Sequence, residues 1–270
     1  MCLVQSVGLN GANQSADVRL IQILLNENLG RMAPLSPLVI DGRMSRQTQD
    51  MIAAFELHVP SLVSSPAPSP AKPAGLVDPG GPVLQALRSG MSAGLTMDKL
   101  RGIMAAAGGN SIQLYYQPLV AMMRSSQINT PLRIAHFLAQ LGHESGDLRY
   151  AEELADGSAY EGRLDLGNTQ PGDGPRFKGR GLIQLTGRAN YTAYGTARSQ
   201  DFVSEPNYLK IATDAKLAVD VACWYWTRHG LNELADADDI KLITQKINGG
   251  YNGLADRQAH LQRAKCLLVL

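Results

Sequence analysis

Two acidic positions and one glycine-rich polar run carry the chemistry this chain offers at first reading. Glu144 closes a stretch in which Ile134, Phe137, Leu138 and Leu141 recur at helical spacing. At about 100° per residue it falls on the same helix edge as Phe137. A carboxyl group bordering an apolar stripe is partly desolvated, which favours its protonated form. Near neutral pH such a group suits a general acid. Glu152 and Glu153 follow, the latter nine residues after Glu144. On one unbroken helix that spacing would turn the two carboxylates about 180° apart. Gly146 and Asp147 break the helix between them, so the chain can reverse and present a second carboxylate across a cleft. Inverting glycosidases need two such groups roughly 6.5–9.5 Å apart, with room for a water. The plainer alternatives are a helix-end glutamate and a solvated charge.

The polar run extends from Phe177 to Tyr191. Its glycines permit close backbone approach to a ligand, and Gln184, Thr186, Asn190 and Tyr191 offer hydrogen bonds suited to sugar hydroxyl and acetamido groups. A glycine-rich hairpin without a ligand is the alternative. Other chemistries fit less well. His143-Glu144 would need histidine at 147 to make a zinc protease, and Asp147 stands there. The five histidines contain no i,i+4 pair, so neither a metal nor another cofactor is expected. His143 reads as an orienting neighbour of the acid. No phosphate loop or nucleophile elbow occurs. Cys223, beside Trp224-Tyr225-Trp226, reads as core.

The positioning elements follow from capping and periodicity. Thr130-Pro131 starts a helix that runs to about Ser145. Helical spacing returns at 212–229, 238–247 and 254–268, whereas 146–182 is rich in glycine and predicts loops with short strands. Seven of the fourteen prolines fall in 60–82, which predicts an extended interdomain linker over 61–82. This leaves a unit at 1–60 and a larger one at 83–270. In the small unit, Ser15 and Ser45 are candidate caps for two helices. Val18, Ile21, Leu24 and Leu25 face inward from the first, and Ile52 and Phe55 from the second. An Asp41-Gly42 turn lies between them. Sixty residues make a marginal core, so binding is expected there rather than catalysis.

Composition narrows the partners. A net charge of +1 and the lack of a basic stripe argue against nucleic acid. No apolar run is long enough for stable membrane insertion. Cys2, Cys223 and Cys266 form no disulfide framework, and the N-terminus shows no secretory signal, so synthesis in a reducing cytoplasm is expected.

Two resemblances emerge from these residues. Residues 83–268 resemble glycoside hydrolase family 19, in its phage endolysin branch. The segments that carry this are His143-Glu144-Ser145, Glu152-Glu153, Tyr160 to Asn168, Phe177 to Tyr191, and Ile247-Asn248-Gly249-Gly250. The small unit resembles the peptidoglycan-binding type 1 module through Asp17-Val18-x-x-Ile21-Gln22-x-x-Leu25-Asn26 and Asp41-Gly42…Thr48…Ile52-x-x-Phe55. It departs from that pattern at Ser45, where the family has a second glycine, and at Phe55-Glu56, where it has Phe-Gln.

The implied fold is mainly α: a small three-helix-type wall-binding domain plus a larger lysozyme-like helical domain with a short strand and loop region. The implied activity is inverting hydrolysis of the β-1,4 bond of peptidoglycan, an N-acetylmuramidase reaction that lyses a host cell. Glu144 matches the acid, Glu153 the base, and Thr186 the hydroxyl that helps hold the water. Tyr160, Gln184, Asn190, Tyr191 and Asn248 match substrate contacts. Arg163, Lys178, Arg180 and Arg257 either bind substrate or hold Glu153 charged. The resemblance also implies a monomer made in the host cytoplasm and released to the periplasmic wall. A chitinase and a non-catalytic wall-binding protein are the alternatives.

Overall fold

Of the three capping positions read from the sequence, two start helices as expected in the computed structural model, which describes residues 2–32, 34–59 and 73–268. The chain is mainly helical and divides into two compact units: Met1–Gly102 with Gln262–Leu270, and Ile103–Leu261.

In the first unit, strand β1 (Val7–Gly8) leads to α1 (Ser15–Glu27) and α2 (Arg46–His58). β2 (Leu76–Val77), α3 (Pro82–Ser89) and α4 (Met97–Ile103) follow. Ser45 caps α2 by accepting from the Thr48 amide at 3.1 Å. Ser15 does not cap α1: Gln14 holds that position without a side-chain bond. Asp17 instead turns back to accept from the Val4 and Gln5 amides, at 3.0 and 2.9 Å, and fastens the N-terminal segment to the helix. Val18, Ile21, Leu24, Leu25, Ile52 and Phe55 are all buried. Gln22 ties the residues between the helices, accepting from the Asp41 and Gly42 amides at 3.1 and 2.9 Å.

The proline-rich segment is partly structure. Residues 61–72 of the expected linker lie outside the described residues, but 73–82 do not behave as a spacer. β2 pairs antiparallel with β1, with Val7 opposite Val77, and Pro82 begins α3 as its first helical residue. Residues 83–102 and 262–270 therefore group with the N-terminal unit, not with the larger one as the 83–270 boundary had it. Inside this unit, the side chains of Lys99 and Glu27 are 2% and 6% exposed, with 3.7 Å between the charged atoms. The Lys99 ammonium donates to the carbonyls of Ser92 and Gly94, and Glu27 accepts from the Thr96 and Ser92 hydroxyls. Burial pulls Lys99 below the ordinary lysine range, and Glu27 opposes it.

The cysteine expectation is corrected here. Cys2 and Cys266 form a disulfide across 264 residues, with Cα atoms 5.2 Å apart. Local spacing could not reveal a bridge between opposite ends of the chain. Cys223 is buried and unbridged, and burial pushes its thiol up, consistent with a packing role.

The second unit is built on α5 (Ser111–Ser125), α6 (Pro131–Glu144), α7 (Asp173–Arg176), α8 (Arg188–Arg198), α9 (Lys210–Thr213), α10 (Ala215–Arg228), α11 (Leu231–Asp236) and α12 (Ile240–Asn248). The last helix, α13 (Leu254–Leu268), begins in this unit and ends in the first. Thr130 caps α6 at the Arg133 amide, 3.2 Å away, with Pro131 as the first helical residue. α10 packs on α5, and α11 on α6. Phe137 of α6 meets Trp226 of α10 edge-on at 5.3 Å. A second cluster gathers Phe177, Leu185, Tyr191, Tyr194, Phe202, Ile211, Val221 and Trp224 under the glycine-rich run. Between 146 and 182 the expected short strands reduce to single bridges, Glu152 with Arg180 and Arg180 with Leu185. The rest is 3₁₀ turns and the four-residue α7.

Two stability outcomes follow. Reducing the Cys2–Cys266 bridge, or replacing Cys2 with serine, should lower stability by about 2–4 kcal/mol; calorimetry with and without reductant reads this, and equal midpoints would show no bridge. Glu27→Gln strands a buried ammonium and should cost about 3–5 kcal/mol in urea unfolding.

Candidate active site

α6 stops at Glu144 because its C-terminus is built to stop. The Gly146 amide donates to the His143 carbonyl at 3.3 Å and the Asp147 amide to Gly142 at 2.7 Å. This double bond pattern is a Schellman ending with glycine in the left-handed position, φ +56°. Asp147 and Leu148 continue left-handed at +62° and +63°. For residues with a Cβ this costs on the order of 1–2 kcal/mol each, so other bonds must hold the turn. The Ser145 hydroxyl donates to the Leu141 carbonyl at 2.6 Å and accepts from the Leu148 amide at 2.8 Å. The Asp147 carboxylate accepts from the Ala106 amide at 2.9 Å and meets His260 at 2.7 Å. Together these outweigh the backbone cost at about 1 kcal/mol or more per bond.

Glu144 is half-buried, and the first turn of α13 reaches it. Arg257, 1% exposed, donates from one guanidinium nitrogen to Glu144 Oε1 at 2.5 Å and from the other to Gln140 Oε1 at 2.5 Å. The apolar border read from the sequence is thus joined by a buried cation. The charge of Glu144 is felt by Tyr225, whose phenol is raised by burial first and by Glu144 second.

Beyond the turn, the extended chain at 152–153 sends its two glutamates different ways, as successive residues of an extended segment must. Glu152 pairs with Arg180 at 3.0 Å and Lys178 at 3.5 Å. Glu153 receives the Tyr160 hydroxyl on Oε1 at 3.0 Å and the Gly179 amide on Oε2 at 3.1 Å. Burial and the neighbouring Glu153 raise the Tyr160 phenol, so it remains a donor. A Cβ at Gly179 would sit 2.7 Å from Gln184 Oε1 and 3.2 Å from Glu153 Oε2, so a side chain there would displace both groups.

The other expected site residues divide sharply. Gln184 and Thr186 are half-buried beside this carboxylate loop, with the Thr186 hydroxyl donating to the Gln184 carbonyl at 2.8 Å. Asn190 is exposed and donates to the Thr186 carbonyl at 2.8 Å. Asn248 is the exposed last residue of α12. Tyr191 is wholly buried, its hydroxyl donating to the Lys178 carbonyl at 2.7 Å, so it supports the run from behind. Arg163 forks onto Asp165 at 2.7 and 2.5 Å and takes no part in holding Glu153. Lys178 and Arg180 neutralise Glu152, not Glu153, and Arg257 serves Glu144.

Several residues escaped the sequence reading. Asn168, fully buried, donates to the Tyr160 carbonyl at 2.8 Å and accepts from the Arg188 amide at 2.8 Å. It therefore fixes the backbone of Tyr160, whose phenol donates to Glu153. Glu161 accepts from the Gly172 and Gly174 amides at 2.7 and 2.8 Å. Gln140 shares Arg257 with Glu144, and Asp256 and His260 bond the nearby His143 and Asp147. Asn168 and Glu161 stand in a segment already singled out; the others have no local pattern to betray them.

Known proteins share this arrangement of chain. Residues 125–250 match the family model described as chitinase class I. The chain is 31% identical over 186 residues to a glycosyl hydrolase family 19 domain-containing protein of Haemophilus influenzae, covering 57% of this chain and 89% of that one. It is 37% identical over 108 residues to acidic endochitinase Q of Nicotiana tabacum, covering 40% of this chain and only 39% of the plant protein. In structure it resembles chitinase C of Streptomyces griseus, with a TM-score of 0.53 and 22% identity over 64% of this chain and 91% of that chain.

Removing the support behind Tyr160 tests the geometry. Asn168→Ala should destabilise the protein by about 2–4 kcal/mol, because it leaves a buried amide and carbonyl unpaired. Urea unfolding measures this, and an unchanged midpoint would contradict the assigned bonds.

Proposed function

We propose, on the premise that this chain belongs to glycosyl hydrolase family 19 and is a glycosidase, that it cleaves the glycan strands of bacterial peptidoglycan as an endolysin-type N-acetylmuramidase. The observation that carries the reaction is the contrast between the two glutamates. Glu153 has each carboxylate oxygen oriented by one donor, Tyr160 and Gly179, which leaves a lone pair on each to take a proton from water. Glu144 has Oε1 fixed by Arg257, and Oε2 is assigned the proton for the leaving glycosidic oxygen. Glu153 draws a proton from a water, and that water attacks the anomeric carbon from the opposite face. The bond to the leaving oxygen breaks as Glu144 delivers its proton, so the anomeric centre inverts. Thr186, Gln184, Asn190 and Asn248 are assigned to the water and the sugar. Glu152 is a structural partner of Arg180 and not the base.

Peptidoglycan is favoured over chitin by the N-terminal unit. The residues that carry its resemblance to a peptidoglycan-binding type 1 module, Gln22, Asp41, Gly42 and Thr48, are joined there by one hydrogen-bonded set. The Cys2–Cys266 bridge suits an enzyme that works on the oxidising side of a membrane after synthesis in a host cytoplasm. Phage origin and action as a monomer complete the reading. Chitin hydrolysis is the second reading, favoured by the names of the plant relatives.

Purified peptidoglycan and chitin, each digested with wild type, Glu144→Gln and Glu153→Gln, separate these possibilities. The expected result is cleavage of peptidoglycan with muramic acid at the new reducing end and an α-anomer in freshly formed product. Each variant should lose about 10²–10⁴-fold in rate. N-acetylglucosamine at the new end would mean a glucosaminidase, and a preference for chitin would mean a chitinase. Wall clearing retained by Glu144→Gln would remove the general-acid assignment.

A further inference from the structure

Three side-chain bonds link the end of α6 to the start of α13, and all three span the same interval. His143 meets Asp256 at 2.8 Å, Glu144 meets Arg257 at 2.5 Å and Asp147 meets His260 at 2.7 Å, each pair 113 residues apart. A constant interval means that the two segments run side by side in the same direction. The first two bonds orient the acid and its neighbour. The third grips the left-handed turn that ends α6.

That third bond is unusually well prepared. His260 is 4% exposed. Its Nε2 faces the Asp147 carboxylate at 2.7 Å and its Nδ1 the Asp256 carbonyl at 2.9 Å, with Asp256 Oδ2 at 3.5 Å. Each nitrogen therefore faces an oxygen that accepts. α6 makes room for the ring at Gly142, where a Cβ would lie 2.2 Å from His260 Cδ2. The other charged or titratable groups in this network are His143, Glu144 and Arg257. The segment matched by the family model stops at 250, before all three α13 residues.

We infer that His260 and Asp147 are positioning residues whose bond fixes the turn after Glu144 and so sets the rate of proton delivery, an inference that rests on Glu144 being the general acid. Asp147 has one oxygen on the Ala106 amide and the other on His260, so its left-handed backbone is pinned from two directions. Glu144 leaves α6 three residues earlier and is held by Arg257, one helical turn before His260. Releasing the turn frees the end of α6 to move relative to Arg257. A displacement of about 1 Å at a proton donor costs roughly 10²-fold in rate.

The experiment compares wild type with His260→Phe, His260→Gln, Gly142→Ala and Glu144→Gln in the full chain, using purified peptidoglycan and far-UV circular dichroism. His260→Phe keeps a ring but loses both bonds. Its expected kcat is about 10–100-fold lower with KM within about twofold, in a protein still folded at the assay temperature. His260→Gln can still donate to Asp147 and should recover most of that loss. Gly142→Ala displaces the ring without deleting a polar group and should reproduce the kcat defect. Should His260→Phe not fold, Asp147→Asn, which keeps an acceptor for Ala106, gives the same readout. Wild-type kcat in folded His260→Phe, with Glu144→Gln inactive, overturns this inference alone. Full activity in Glu144→Gln overturns the acid assignment and the inference with it.

Discussion

The proposed catalytic arrangement depends on one short event: a helix that ends within two residues of an acidic side chain. If α6 ran one turn further, Glu144 would be an interior helix position and Glu153 would leave on the far side. The Schellman bonds at Gly146 and Asp147 stop the helix, and the left-handed run to Leu148 sends the chain back. Isolated, such a run is unfavourable for an aspartate and a leucine. It persists because Ser145, Ala106 and His260 hold it at separate points. Backbone strain, polar satisfaction and the placement of the acid are here one local problem with one solution.

The second carboxylate is placed by a different device. No long strand carries Glu153; a single bridge between Glu152 and Arg180 sets the register. That register decides which of two adjacent glutamates meets the buried cation and which meets the phenol and the amide. Behind it stands a polar scaffold running from Asn168 to Tyr160, and from Arg188 to Asp173, whose carboxyl Arg188 holds below the usual carboxylate range. The aromatic cluster under the glycine-rich run gives this scaffold its floor.

Much of this was legible from residue order, and the limits have physical causes. Thr130-Pro131, Ser45, the break at Gly146 and the span 254–268 were readable because caps, breakers and periodicity act within a turn or two. Ser15 misled because a serine beside a helix start is a cap only if the chain before it takes the right turn, and Asp17 fixes that chain otherwise. The partner of Arg257 was left open because pairing across 113 residues leaves no local trace. The burial of Tyr191 was not legible, since a polar aromatic in a glycine-rich run looks the same from either side of a wall. The bridge between Cys2 and Cys266 was invisible for the same reason as Arg257, at more than twice the distance.

The discontinuous first unit has a consequence for how this molecule could be cut. Its two pieces, Met1–Gly102 and Gln262–Leu270, are joined covalently through Cys2 and Cys266. The larger unit is thus an insertion within the smaller one. A protease nick anywhere in 60–72 would leave both fragments attached under oxidising conditions. The N-terminal piece is accordingly no removable cassette, and exchanging it between proteins would require exchanging the final turns of α13 as well.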